Sequence, residues 1–351
     1  MSPASGPVEL SADAVHAFTV AAYTAAGMAP ADATTMADNQ LWSDLRGVDT
    51  HGVQRVSWYL RWFREGRAQP TTQLRVVSDK PTALVGDGGG GLGQLVATRF
   101  AQQLVAKARD AGMALGVLRN SNDWGCGAWY PNLAAEAGLV AMATTTSVPN
   151  LAPFGSRTRL FGNNPIAFAF PRRDERPIIY DGALTPVALG KVLRAKAEGA
   201  ELPVEWGFRD RDGRPTTDPQ TALDGIIPAI GGYKGTGLAL VTNVLAGVLS
   251  GSAHSAAVDV GRRGQFFLFV DPGFLDDGDT GREGYLDAIE DMVAQIRAAE
   301  VLPGAEVLLP GEPEWRTYEA RRASGRIPYP ASVVRALDQV AEQLGIDPVT
   351  R

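Results

Sequence analysis

His51 and Arg55 lie close together in the run Asp44-Leu45-Arg46-Gly47-Val48-Asp49-Thr50-His51-Gly52-Val53-Gln54-Arg55, and His51 is one of only three histidines among 351 residues. An imidazole titrates near neutrality, and a guanidinium grips a carboxylate through paired hydrogen bonds. Val56, Tyr59, Leu60 and Phe63 carry helical spacing, which predicts a helix over 53–65 with Thr50 as its N-cap and Gly66 closing it. His51 would then occupy the first turn and share a face with Arg55. A helix N-terminus also attracts anions. Such a group could hold a small carboxylic acid and move a proton on it. The bland alternative is a capped surface helix with a solvated arginine.

The elements that must position these residues fall into two textures. Ser11 to Ala26 reads as a helix ended by Gly27, and Pro30 opens a second to about Ser43. With the His51 helix they make an Ala-rich lobe ending near Gln69-Pro70, while residues 1–9 read as disordered. From Leu74 strands and helices alternate. Strands are expected at 82–85, 114–118, 140–145, 166–170, 177–181 and 265–270, and helices at 94–111, 130–137, 236–249, 284–298 and 330–344. Asp276 to Gly284 is acidic, Gly-rich and reads as a mobile loop. The fold class is α/β, with a helical lobe over 1–72 joined by C-terminal helices over 272–351, and a central domain over 73–271.

Composition excludes several functions. A net charge of −6 without a Lys/Arg cluster argues against a nucleic-acid partner. The single Cys126 leaves no intrachain disulfide and no thiolate metal cluster, so no metal is expected. The polar start of the chain lacks a signal-peptide core, and no apolar run reaches membrane-spanning length. The expected location is the cytoplasm.

The run Gly88-Gly89-Gly90-Gly91-Leu92-Gly93 fits GxGxxG between a strand and a helix, yet so many glycines satisfy that pattern by chance, and Asp110 is poorly placed as its acidic partner. Asn163-Asn164-Pro165 and Tyr233-Lys234-Gly235 are better cofactor candidates. Asn side chains and loop amides can hold ribose and pyrophosphate oxygens, and Lys234 supplies a cation ahead of a helix at Thr236. As a structural alternative, both segments are ordinary turns.

The His51 segment resembles the "DxHGVxR" signature of the type 2 malate/L-lactate dehydrogenase family. That family includes ureidoglycolate dehydrogenase, diketogulonate reductase, sulfolactate dehydrogenase and piperideine-2-carboxylate reductase. The resemblance runs from about residue 10 to about 320, through Gly88 to Gln94, Arg119-Asn120-Ser121-Asn122, Ala152-Pro153-Phe154-Gly155, Gly162 to Phe168, Pro215 to Pro219, Gly231 to Gly235 and Pro310 to Pro313. It implies a non-Rossmann NAD(P)-binding fold with a largely antiparallel central sheet, and a homodimer whose active site the partner subunit completes. It makes the glycine run a structural or substrate-side element. It implies cofactor contacts at Asn120, Ser121, Asn163, Asn164, Pro165, Lys234, Gly235, Gly311 and Glu312, a substrate-lining Thr145, and an Asp181 that organises the catalytic His51.

This chain also departs from the pattern. Asp123 stands where the family usually has His, Gln265 replaces a His before the Phe-Phe strand, and Leu184, Pro186 and Leu189 replace Thr, Val and Arg. A carboxylate at 123 adds negative charge where a keto acid would approach, which favours a substrate bearing a positive or hydrogen-bond-donating group and disfavours simple 2-keto diacids. The resulting expectation is an NAD- or NADP-dependent oxidoreductase for a C=O or C=N bond α to a carboxylate. Arg55 holds the carboxylate, and His51, oriented by Asp181 or Thr50, moves the proton. The alternative is a non-redox lyase, isomerase or condensing enzyme using His51 and Asp123 as an acid/base pair, or a silent homologue on the same scaffold.

Overall fold

The computed structural model describes residues 6–276 and 281–350. Strand β1 (Val8–Ser11) pairs antiparallel with β9 (Arg326–Tyr329), tying the two ends of the chain together. Residues 8 and 9 are therefore ordered, contrary to the expectation for 1–9, because β9 supplies the ladder partner that sequence could not show. The expectation for 1–5 lies outside the described residues.

Helices α1 (Ala12–Ala25), α2 (Pro30–Leu45) and α3 (Val56–Arg64) form the helical lobe. Their core is Phe18, Tyr23, Met36, Tyr59 and Trp62, joined by Leu337 and Val340 of α11 (Ala331–Leu344). Apolar residues at helical spacing bury one stripe of each helix here. The helix expected over 53–65 is shorter than the pattern suggested. Asp49–His51 and Val53–Arg55 form two 3₁₀ turns, and regular helix begins only at Val56, so Thr50 does not cap it.

The central sheet contains β2 (Arg75–Lys80), β3 (Ala83–Asp87), β4 (Met113–Ser121), β5 (Val140–Thr145), β6 (Ile166–Phe170), β7 (Ile178–Gly182) and β8 (Arg263–Val270). Their order is β2-β3-β4-β8-β5-β6-β7, and every neighbouring pair except β3–β4 is antiparallel. This bears out the largely antiparallel α/β fold. Helices α4 (Gly93–Ala111) and α5 (Trp129–Glu136) cover one face, where Phe100, Trp124, Tyr130, Phe267 and Phe269 are buried together.

Beyond β7, α6 (Leu189–Glu198) and α7 (Pro219–Asp224) enclose a small core of Val192, Phe208 and Ala222. Helix α8 (Tyr233–Thr242) continues into a π-helical stretch, Asn243–Val248, that packs on the opposite sheet face through Ala246 against Phe266. Helix α9 (Arg282–Arg297) begins inside the segment expected as a loop, whose residues 277–280 lie outside the described ones, and it packs on Ile178 of β7. Helix α10 (Glu312–Ser324) sets Trp315 against Trp42 of α2. Of the C-terminal elements, α11 and β9 contribute buried residues to the core of the N-terminal helices, and Tyr318 of α10 packs against it.

Candidate active site

The loop carrying His51 is fixed by Asp44 near the end of α2. Asp44 is fully buried, and its Oδ2 accepts the Val53 amide at 2.8 Å. Burial pushes this carboxyl up to about 8, so it is mostly protonated at neutral pH. A Cβ on Gly52 would stand 1.8 Å from Asp44 Oδ1, so only glycine lets the backbone cross this carboxyl. That contact explains the broken helix start: the 50–55 segment wraps around a buried side chain instead of winding freely. Arg321 of α10 holds the loop from the other side through Asp49 Oδ1 at 2.7 Å.

On this loop His51 Nδ1 lies 3.0 Å from Thr50 Oγ1. Arg55 Nε donates to the Thr50 carbonyl at 2.6 Å, and its guanidinium sits 4.2 Å over the Trp58 ring. The two terminal nitrogens of Arg55 make no hydrogen bond among the described residues, which leaves the bidentate edge available to a carboxylate. Burial, helped by the Arg55 charge, lowers the His51 imidazole to about 4, with Asp123 acting in the opposite direction. The imidazole is therefore neutral at pH 7.

Asp123 reaches this group from the loop after β4. Its Oδ1 accepts the Tyr59 hydroxyl at 2.8 Å and the Gly125 amide at 3.0 Å, and its Oδ2 accepts Arg263 Nη1 at 3.0 Å. Gln94 Nε2 donates to the Tyr59 hydroxyl at 2.6 Å. Burial alone would raise the Asp123 carboxyl, but the charges of Arg263, Arg55 and His51 and the Tyr59 bond outweigh it and hold it below the usual carboxylate range. The expectation of a free negative charge is thereby corrected: Arg263 at the start of β8 neutralises it. The glycine run helps to dock this segment. The Gly93 amide donates to the Asp123 carbonyl at 2.6 Å, and a Cβ there would meet the Trp124 Cα at 2.7 Å. It is a structural element of the site, as the resemblance implied.

Asp181, at the end of β7, accepts the Ala128 amide at 2.8 Å and the Cys126 thiol at 3.6 Å. Arg46, buried between Trp42 and Trp315 at 4.7 and 4.1 Å, is the positive charge acting on it. Within the single chain, Thr50 rather than Asp181 is the hydrogen-bond partner of His51. The Thr145 hydroxyl donates to the Gly264 and Thr146 carbonyls and is buried, so it serves the sheet.

The expected cofactor residues divide in two. Asn120 donates to Asp87 and Ser121 is fully buried with no partner for its hydroxyl. Asn163 and Asn164 accept from Ser147, Asn164 also donates to Thr242, and the Pro165 carbonyl accepts from Thr144. Glu312 is engaged by Arg297, Arg316 and the Leu309 amide, next to Gly311 at the N-cap of α10. Lys234, by contrast, is exposed and makes no hydrogen bond among the described residues on the first turn of α8, where Gly235 is buried. Beside that turn lies a cleft of about 690 Å³ lined by Phe154, Arg157, Trp206, Arg209 and Gly232. Cationic side chains, aromatic faces and a helix N-terminus fit a phosphate-linked nucleotide. Pro186 also lines the cleft, and four residues on a Cβ on Gly190 would stand 3.5 Å from Thr50 Cγ2, next to His51.

Sequence reasoning missed Tyr59, Gln94, Arg263 and Arg321. Tyr59 follows Arg55 by one helical turn, and Arg263 alternates with Gln265 along β8, so periodicity could have flagged both. Nothing local signals Gln94 or Arg321.

Fold and site together define an α/β protein in which a neutral imidazole and an arginine share one loop at the edge of the sheet domain. The chain belongs to the malate/L-lactate dehydrogenase family, whose model matches residues 10–338. It is 32% identical to the malate dehydrogenase of Pyrococcus horikoshii, with 95% of each chain covered. It is 33% identical to the Delta(1)-pyrroline-2-carboxylate/Delta(1)-piperideine-2-carboxylate reductase of Pseudomonas putida, covering 85% of this chain and 87% of the relative. The structure of sulfolactate dehydrogenase from Methanocaldococcus jannaschii superposes with a TM-score of 0.89 at 29% identity, covering 97% of this chain and 98% of the other. The protein is accordingly an NAD(P)-dependent oxidoreductase.

Gly52→Ala should displace the His51 loop from Asp44. The expected result is a loss of activity of at least about tenfold together with a fall of about 1–3 kcal/mol in stability, read by steady-state rates and urea unfolding. Wild-type activity in this variant would show that the Asp44 contact does not set the loop.

Proposed function

We propose that this enzyme reduces a C=O or C=N bond α to a carboxylate, or oxidises the corresponding hydroxy or amino acid, in the cytoplasm and as a homodimer. The observation that carries this reading is the pairing of a neutral imidazole with an arginine whose bidentate edge is free, on one rigid loop. Arg55 binds and orients the substrate carboxylate, and Trp58 beneath it keeps the guanidinium in place. His51, held through Nδ1 by Thr50, exchanges the proton of the reacting oxygen or nitrogen through Nε2. A carboxylate on Arg55 offsets the charge that lowers the imidazole and so helps His51 carry a proton when reduction demands one. When bound, the nicotinamide cofactor supplies or accepts the hydride. Lys234 and the α8 N-terminus would hold its phosphates, and the adjoining cleft its nucleotide.

Support for the dimer comes from α8 and its continuation. Tyr233, Leu240, Val241, Val244 and Val248 are 67%, 55%, 48%, 47% and 54% exposed, which leaves an apolar face a second copy would cover. Light scattering should give twice the mass of the 37.2 kDa chain, and Leu240→Glu with Val244→Glu should halve it.

NADH or NADPH fluorescence should show saturable binding, weakened about tenfold or more by Lys234→Ala, the usual consequence of losing a charged hydrogen bond. A folded protein that binds neither dinucleotide would overturn the redox reading.

His51→Ala should lower turnover by about 10²–10⁴-fold. The pH dependence has a definite sign. Because the imidazole is lowered to about 4, it is a competent base throughout the neutral range. For oxidation, kcat/KM should be flat between about pH 6 and 8 and fall only at more acid pH; for reduction, which needs the protonated ring, it should decline as pH rises. An acid limb near the ordinary histidine value in the oxidation profile would show that Arg55 and burial do not hold His51 down.

A further inference from the structure

Three charged groups meet at the centre of the site. Arg55 and Arg263 are cationic, and Asp123 is a carboxylate paired with Arg263 at 3.0 Å. The side chains of that pair are only 11% and 16% exposed, so the two charges cancel at short range with little solvent between them. The charges acting on His51 and Asp123 are these groups and each other. Gln265, on the same face of β8 as Arg263, is fully buried and neutral, and both polar atoms of its amide lack partners. Arg263 Nε and Ser121 Oγ, cross-strand neighbours at the paired ends of β8 and β4, are also buried and unpartnered. Among the described residues Arg55 is thus a cation of the site outside any ion pair, with neutral hydrogen-bonding groups around the Asp123–Arg263 pair.

We infer that Arg263 is a second anion-binding arginine masked by Asp123, so that the enzyme takes substrates with a single carboxylate and a neutral remainder and discriminates against dicarboxylates. The inference rests on the proposed role of Arg55. It assigns specificity to the pair and not to Asp123 alone. A monocarboxylate satisfies Arg55 and leaves the pair intact. A dicarboxylate brings a second negative charge to a region whose other cation, Arg263, is already bound. It must then break the ion pair and strand the Asp123 carboxylate, a costly outcome in a nearly buried position. The Tyr59 and Gly125 bonds hold Oδ1 in place, so Asp123 cannot simply swing away.

The test uses Trp58, stacked 4.2 Å from the Arg55 guanidinium, as a reporter. Tryptophan fluorescence of the full chain is titrated with L-lactate and L-malate, and initial rates of NAD(P)H-dependent reduction are measured with pyruvate, Δ1-piperideine-2-carboxylate and oxaloacetate. The wild-type protein should bind lactate more tightly than malate and favour the monocarboxylates in kcat/KM. Asp123→Asn keeps an acceptor for Tyr59 and Gly125 but removes the charge opposing Arg263. It should move the lactate/malate affinity ratio toward malate by about tenfold or more, chiefly through KM in the rate measurements. Arg263→Gln provides a second arm independent of that variant. It leaves Asp123 unopposed and should widen the discrimination against malate. Tighter malate binding by the wild-type protein, or a ratio unmoved in folded Asp123→Asn or Arg263→Gln, would overturn the inference. Ligand binding with the expected ratios but no turnover of any of the three substrates would leave the masked arginine standing and sink the proposed reaction instead.

Discussion

Asp123 draws contacts from elements that fold in different parts of the chain. Tyr59 comes from the helical lobe, Arg263 from the sheet, and Gly93 from the start of α4, which donates to its backbone carbonyl. Tyr59 belongs to the hydrophobic core built on Phe18, Tyr23 and Trp62, and Trp124, next to Asp123 in the chain, to the core built on Phe100, Tyr130 and Phe267. Burying a carboxylate is unfavourable unless charge and hydrogen bonds compensate it, and here each oxygen is supplied. The Asp123 network thus joins lobe and sheet, alongside the packing of Trp42 in α2 against Ala128, Trp129 and Ile179.

The His51 loop depends on a second buried carboxyl treated in the opposite way. Among the described residues Asp44 makes no ion pair; it is carried as an acid, pushed up to about 8, and accepts the Val53 amide. Two aspartates of one site are thus set in different charge states by their surroundings. One neutralises an arginine, and the other fixes a turn. Between them stands an imidazole kept neutral by burial and by Arg55. The arrangement suits the base role proposed for His51, and in that proposal a substrate carboxylate on Arg55 would relieve the bias for the reverse direction.

Where the resemblance implies histidine, the aspartate at 123 is therefore less disruptive than charge alone suggests. An isolated carboxylate would have repelled a keto acid. Paired with Arg263, it leaves the field of the site close to that of Arg55 by itself. The neutral Gln265 and the buried Leu184 extend the same trend, from charged and polar groups toward a site with one principal ionic contact.

Much of this molecule is legible in its sequence. Helical and strand periodicities located most elements of the sheet and of the helical lobe, because each buries one face and the repeat of apolar residues records which. The motif around His51 and Arg55 pointed to the family, and the glycine run was read as a structural or substrate-side element. Other features depended on residues far apart in the chain. Order at Val8 and Glu9 came from β9, the short 3₁₀ turns from the Asp44 carboxyl beneath Gly52, and the neutralisation of Asp123 from Arg263, 140 positions away. Local pattern encodes which face of an element is buried. The charge a buried side chain carries, and the path of a loop around it, are decided by partners that only the folded chain brings within a few ångströms.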